Sequence, residues 1–345
     1  MDMNSDISLS AKSTAEQPQP HEWAHFHHLL GPLKGLMEDS FVTNIEVNED
    51  GTVFYEKFGE GSNELPQRMT KDQRAALIGF LANNQSGNAG RGVDSLRSSL
   101  GADMEPYYDA RIQAFAPPIS FWTIVIRKFN HEIFTFDRYV EKGEMTRNHR
   151  NYFRDVVIPQ KMSLFIFGKP DAGKNTFLNG YNQEVADVRP KDRIVILQDR
   201  NETKCPSRNK LFIKVRVEQE HVNGDRWIYD FQDAIAEGLR SNPGRMIIQE
   251  FRDGIAVRAA LMATNLGLDG MVATGHSNGA EDGLLRIEDL MRMENLTPVP
   301  RMIARFCNVI GFMEKDEHGR RRLTQVSRLN GVDRDGKYQL DPIAA

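Results

Sequence analysis

The sequence predicts an α/β protein in two parts: a C-terminal domain built on a mostly parallel sheet, and a smaller α+β domain ahead of it. Three observations carry the prediction. From residue 150 onward, short apolar runs alternate with helix-like stretches, the pattern of a parallel sheet covered on both faces. One of those runs, Leu164-Phe165-Ile166-Phe167, leads into a glycine-bounded loop and then a helix start. Before residue 136, helical spacing and turn-joined strands outline a separate unit of about a hundred residues.

Size and composition agree. The chain has 345 residues, enough for about two domains. Its net charge of −4 supplies no global basic field for nucleic acid. Cys205 and Cys307 lack metal-ligand spacing and fit a reducing compartment. No stretch approaches the roughly 18 apolar residues of a membrane span. The polar residues 1–22 read as disordered and lack the apolar core of a signal peptide. A cytoplasmic protein that meets a membrane only through partners is the expectation.

In order, residues 1–27 are expected to be a disordered tail. His21, His25, His27 and His28 cluster around its end and read as surface histidines at a helix start, because no carboxylate or cysteine set completes a metal site. Leu29, Leu30, Leu33, Leu36 and Met37 sit at helical spacing, opening a domain over 28–135. Strands at 45–48 and 53–56 flank the turn Asn48-Glu49-Asp50-Gly51, where Asp-Gly supplies positive φ. A helix over 71–83 and strands at 110–115 and 123–127, parted by Pro117-Pro118, complete that domain. Residues 136–149, charged and irregular, are the expected linker. Over 150–345 the order is helix 152–159, strand 164–167, loop, helix, strand 194–197, and an irregular polar stretch. Helix 228–240, strand 246–248, helix 255–266 and strand 270–274 follow.

The chemistry gathers at strand ends, where open parallel sheets bind ligands. Gly168-Lys169-Pro170-Asp171-Ala172-Gly173-Lys174-Asn175-Thr176 carries Gly-x4-Gly-Lys between a strand and a helix, the setting of a phosphate-binding loop. Its backbone N–H groups and the helix start would hold phosphates, and Lys174 would reach them as a point charge. Gly168, Asp171, Ala172, Gly173, Lys174, Asn175 and Thr176 are therefore the candidate nucleotide-binding residues. Asn175 stands where a hydroxyl normally ligates Mg²⁺. Asp171 would repel phosphate unless it points to solvent. Gln198-Asp199-Arg200-Asn201-Glu202 follows the next strand and reads either as a solvated turn or as acids that orient water or metal. Met246-Ile247-Ile248-Gln249-Glu250-Phe251-Arg252 fits a Walker B element, with Glu250 at metal or attacking water. His276, after Ala273-Thr274-Gly275, sits at the end of the following strand. Arg111 and Arg127 read equally as surface ion pairing or as arginines that reach γ-phosphate charge.

This ordered series resembles the secretion ATPases of type IV secretion, conjugation and pilus systems, nearest to the conjugal-transfer type. Leu30-Gly31-Pro32-Leu33, Pro117-Pro118, Ile126-Arg127-Lys128, the run 134–139 and the run 284–291 also fall in family order, so the resemblance spans about 28 to 340. It implies a RecA-like P-loop NTPase domain and a homo-hexameric ring. The ring would hydrolyse ATP with Mg²⁺ at the cytoplasmic face of an inner-membrane secretion or conjugation channel. It assigns Lys174 to phosphate, Asn175 and Glu250 to metal, and Glu202 and Glu250 to metal and water. His276 would couple the nucleotide to the helices that follow, and Arg111 and Arg127 would meet the γ-phosphate. Direct nucleic-acid binding is not expected, because no basic stripe with interleaved aromatics occurs.

Against the family pattern Gly-Gly-Thr-Gly-Ser-Gly-Lys-Thr-Thr, the loop here differs at Lys169, Pro170, Asp171, Ala172 and Asn175. Gln198 replaces an acid, Gln249 a glycine, and Gly275 a hydrophobic residue before the histidine. These departures define a second reading: a weakly active or inactive nucleotide-binding ring or regulatory subunit of the same kind of machine.

Overall fold

The computed structural model describes residues 20–57, 60–83, 99–104, 108, 110–129, 132–215, 217–220 and 226–345. Two units divide between Glu132 and Ile133. Most of the expected disordered tail lies outside the described residues. Its end does not behave as a tail: α1 spans Pro20–Leu30, with Phe26 fully buried. Its histidines meet aromatic rings, His25 against Phe80 and His27 against Trp23 and Tyr108.

After α2 (Lys34–Glu38), the first unit is a sheet with one buried face, as alternation dictates. Its strands are β1 (Val42–Val47), β2 (Val53–Lys57), β3 (Ser62–Leu65), β4 (Ser99–Asp103), β5 (Ala110–Phe115) and β6 (Thr123–Lys128), with α3 (Lys71–Asn83) between β3 and β4. Among the described residues they pair antiparallel in the order β3-β2-β1-β6-β5-β4. On β5, Ala110, Ile112 and Ala114 are buried and their neighbours are not. The turn between β1 and β2 has Gly51 at φ 85°, where an added Cβ would meet the Met69 carbonyl oxygen at 2.3 Å. The edge strands β3 and β4 were not anticipated from the sequence.

The stretch expected as an irregular linker, 136–149, is largely helical. Thr135 caps α4 (Phe136–Glu141) by accepting from the Arg138 N–H, and Thr146 caps α5 (Arg147–Tyr152) by accepting from the His149 N–H. The spacing of Phe136 and Tyr139 turns one apolar face inward; both are fully buried. A wider π-helical turn, Phe153–Val157, follows.

The second sheet is built on β7 (Leu164–Gly168), β8 (Ile194–Gln198), β9 (Lys210–Lys214), β12 (Arg245–Ile248), β13 (Val272–Gly275), β14 (Val309–Lys315), β15 (Arg321–Val332) and β16 (Tyr338–Pro342). A small hairpin, β10 (Val217–Glu220) with β11 (Arg226–Tyr229), stands apart from it. The helices are α6 (Lys174–Val188), α7 (Phe231–Arg240), α8 (Gly254–Asn265), α9 (Ala280–Met293) and α10 (Pro300–Phe306). Sheet order among the described residues is β16-β15-β14-β7-β13-β12-β8-β9, with β14 through β9 parallel and β15 and β16 antiparallel. The sheet is thus mostly parallel, as expected. Every residue of β7, β8, β12 and β13 is buried, which explains their unbroken apolar runs.

Two boundaries differ from the sequence reading. Ile228 and Tyr229 belong to β11, because Asp230 starts α7 through a reciprocal capping box with Asp233. The polar stretch after β8 contains the edge strand β9.

Phe136 lies 5.0 Å from Phe177 of α6 and 5.6 Å from Phe153, ring centre to ring centre. Phe136→Ala is therefore expected to destabilise the chain by about 3–5 kcal/mol in a urea titration. A loss below about 1 kcal/mol would show that the segment is not part of this core.

Candidate active site

The loop between β7 and α6 is shaped by one close approach and two left-handed residues. At Gly168 an added Cβ would sit 2.5 Å from the Met313 carbonyl oxygen of β14, so only glycine lets the strands close up there. Gly173 has φ 87°, and Asp171, a non-glycine residue, has φ 60°. Ala172 is buried, Lys174 begins α6, and Asn175 and Thr176 follow half-buried in its first turn.

Lys174 is 7% exposed. Its Nζ donates to the Gly168 and Lys169 carbonyls, each at 3.0 Å, and lies 3.1 Å from His276 Nδ1. An ammonium has three hydrogens and no acceptor. His276 Nδ1 therefore accepts, which leaves the ring proton on Nε2. That nitrogen lies 3.0 Å from Glu250 Oε1.

Glu250 is fixed from both chain directions by Thr274 of β13. The Thr274 hydroxyl donates to the Gln249 carbonyl at 2.5 Å, and the Phe251 N–H donates to the Thr274 carbonyl at 2.9 Å. The Arg252 guanidinium donates to Glu250 Oε2 and also pairs with Asp199, joining the acids that follow β12 and β8. Burial pushes the Glu250 carboxyl up, but the His276 hydrogen bond and the Arg252 charge outweigh it and bring it down to about 2.

Glu202 is held by α6. Asn175 Nδ2 donates to its Oε2 at 2.6 Å, and Asn179 Nδ2 donates to its backbone carbonyl at 3.2 Å. Asn179 Oδ1 accepts from the Lys204 N–H at 2.7 Å, and Asn182 Nδ2 donates to the Lys204 carbonyl at 2.8 Å. Asparagines at i, i+4 and i+7 share one helix face. That spacing was the signal for Asn179 and Asn182, which sequence reasoning passed over.

Asp171 does not point free into solvent, contrary to the condition set for it. Its carboxylate pairs with Arg321 and Lys315. Nothing in the linear sequence marks those partners. Gly275 also has a tertiary reason: an added Cβ would meet the Phe167 ring at 2.9 Å, so that ring fills the space a hydrophobic side chain would take.

Lys174, His276 and Glu250 thus come together, as do Asn175 and Glu202. Arg111 and Arg127 are direct cross-strand partners on β5 and β6 of the first unit. A cleft of about 230 Å³ opens beside Glu250, Arg252, His276, Phe167 and Arg286. A second, of about 320 Å³, opens beside Lys169, Pro170, His276, Asn278 and Arg286. Among the described residues no group of three or more His, Cys, Asp or Glu side chains could hold a metal by itself.

The depressed Glu250 carboxyl has a defined pH signature. Its folded value, about 2, lies below the ordinary 4.5, so its contribution to stability is present above about pH 4.5 and lost as pH falls toward 2. The difference in urea midpoint between the parent chain and Glu250→Gln is expected to shrink over that window. A difference independent of pH there would show that the carboxylate is not engaged.

The Type II/IV secretion system protein profile matches residues 103–327, well over half of the chain. The chain is 28% identical over 308 residues to the probable conjugal transfer protein TrbB of Sinorhizobium fredii, covering 88% of each. Among solved structures, the Legionella pneumophila ATPase DotB aligns with TM-score 0.59 at 15% identity, over 94% of this chain and 84% of that one. The pilus retraction motor PilT with bound ADP aligns with TM-score 0.55 at 17% identity, over 92% and 83%. These two likenesses show that the fold is that of the P-loop secretion ATPases. With the matched profile spanning the loop, Glu250 and His276, the chain belongs to the Type II/IV secretion system protein family.

Proposed function

We propose that this chain hydrolyses ATP to drive a conjugative-transfer or type IV secretion machine, as a homo-hexameric ring at the cytoplasmic face of the inner membrane beside its channel proteins. The observation that carries the reading is the junction of Lys174, His276 and Glu250 at the carboxyl ends of β7, β13 and β12.

The loop N–H groups and the start of α6 bind the phosphates. Lys174 exchanges its loop carbonyls for phosphate oxygens and keeps its third hydrogen on His276 Nδ1. Glu250, ionised and aimed by His276 and Arg252, orients the attacking water. Glu202, aimed by Asn175, supplies a second carboxylate. Arg111 and Arg127 keep the role that the resemblance implies, charge stabilisation at the γ-phosphate. The oxygen chemistry fits magnesium: Asn175 gives its amide N–H to Glu202 and keeps its carbonyl oxygen, and Glu250 is a carboxylate, so Asn175 and Glu250 would hold the ion. Bound there, the metal would neutralise phosphate charge.

A second reading, a nucleotide-binding subunit without turnover, is favoured by one observation: Asn175 occupies the hydroxyl position and spends its N–H on Glu202. Magnesium-dependent phosphate release separates the two. On the ATPase reading, Lys174→Ala lowers the rate by about 10² or more, and Asn175→Thr lowers it too, because Glu202 loses its donor. Equal rates for the parent and Lys174→Ala would refute turnover at this site. A large gain with Asn175→Thr would show that the natural loop is impaired.

A further inference from the structure

Asp171 places a carboxylate in a loop that, on the reading above, must accept phosphates. Like charge at such distances opposes binding. The β14–β15 hairpin answers it. Lys315 and Arg321 are cross-strand partners at the last rung before the turn, so the hairpin presents two cations side by side. Arg321 is only 5% exposed. Its Nη2 lies 2.9 and 3.0 Å from the two Asp171 carboxylate oxygens, and its Nε donates to the Asp171 carbonyl at 3.0 Å. Lys315 Nζ donates to Asp171 Oδ2 at 2.7 Å.

This grip acts on backbone as well as charge. Asp171 is held at φ 60°, a left-handed conformation uncommon for a residue with a side chain. The Arg321 stem fills the space below Gly173, where an added Cβ would meet Arg321 Cδ at 2.9 Å. Sheet order sets the direction. β14 flanks β7 on one side and β13 on the other. Asp171 is therefore drawn toward the hairpin, on the flank opposite the Lys174–His276 contact.

We infer that Arg321, assisted by Lys315, is a positioning residue for nucleotide phosphates: it holds residues 171–173 in their phosphate-accepting shape and cancels the charge of Asp171. It acts through the loop and not on the substrate. The inference rests on the nucleotide-binding reading of that loop. Burial raises the Asp171 carboxyl, but the Arg321 and Lys315 charges prevail and hold it below the usual range, so the pair persists at neutral pH.

Equilibrium binding of a fluorescent ATP analogue to the full chain tests this, with hydrogen exchange of the loop amides measured without nucleotide. Arg321→Ala is expected to weaken binding by about tenfold or more and to speed loop exchange, because it leaves Asp171 with Lys315 alone against its charge and releases the Asp171 carbonyl. The Asp171→Ala/Arg321→Ala double variant is expected to recover most of the lost affinity. Arg321→Lys is expected to recover only part, since an ammonium cannot make the forked contact. Asp171→Asn, at a half-buried side chain that leaves Arg321 in place, guards against misfolding and is expected to bind at least as tightly as the parent. Binding of Arg321→Ala within about twofold of the parent overturns the inference, as does a double variant no better than Arg321→Ala, or an Asp171→Asn variant about tenfold weaker. Lys174→Ala keeps the two levels distinct. If the parent does not bind, or Lys174→Ala binds equally well, the nucleotide reading fails and takes this inference with it. If Lys174→Ala abolishes binding while Arg321→Ala does not change it, only this inference fails.

Discussion

The buried ammonium of Lys174 is the constraint around which the site is arranged. A lysine at 7% exposure needs acceptors for its three hydrogens, and the two loop carbonyls and His276 Nδ1 provide them. Satisfying it fixes the His276 tautomer, which directs Nε2–H at Glu250 and helps keep that carboxylate ionised. The arrangement depends on the sheet: β13 lies between β7 and β12, so one histidine after β13 can touch both a lysine and a carboxylate. A phosphate oxygen is a stronger partner for an ammonium than a peptide carbonyl.

Four of the residues that depart from the family pattern have partners of their own. Asp171 is matched by Arg321 and Lys315, Asn175 by Glu202, and Gly275 by the Phe167 ring. Gln198 accepts from the Thr203 N–H in the interior, steadying the turn that carries Glu202. Gln249 differs: its buried Oε1 has no hydrogen-bond partner among the described residues, and no physical reason for an amide there is evident. Four departures with matching contacts are what an altered but intact site would show, because residues that had merely drifted would leave orphaned charges behind.

How much could be read from sequence follows from how local each feature is. The central strands were legible because burial on both faces demands continuous apolar runs, as in 164–167 and 194–197. Glu250 and His276 were legible because each follows such a run, and Lys174 because it ends the Gly-x4-Gly-Lys pattern after one. The helices over 136–152 were hidden by their charged composition, although Thr135 and Thr146 were available as caps. The edge strand β3 reads Ser-Asn-Glu-Leu and carries no apolar signal. Arg321 and Lys315 could not be found by spacing: they reach Asp171 across about 150 residues only because β14 inserts beside β7.

A crystal structure with a non-hydrolysable ATP analogue and magnesium tests most directly whether the altered loop is a working nucleotide site supported from the neighbouring hairpin. Phosphate oxygens are expected at Lys174 Nζ in place of the Gly168 and Lys169 carbonyls, with Asp171 still paired to Arg321. Lys174 still bound to its loop carbonyls with no nucleotide at the loop, or Asp171 turned away from Arg321 toward the phosphates, would contradict that expectation.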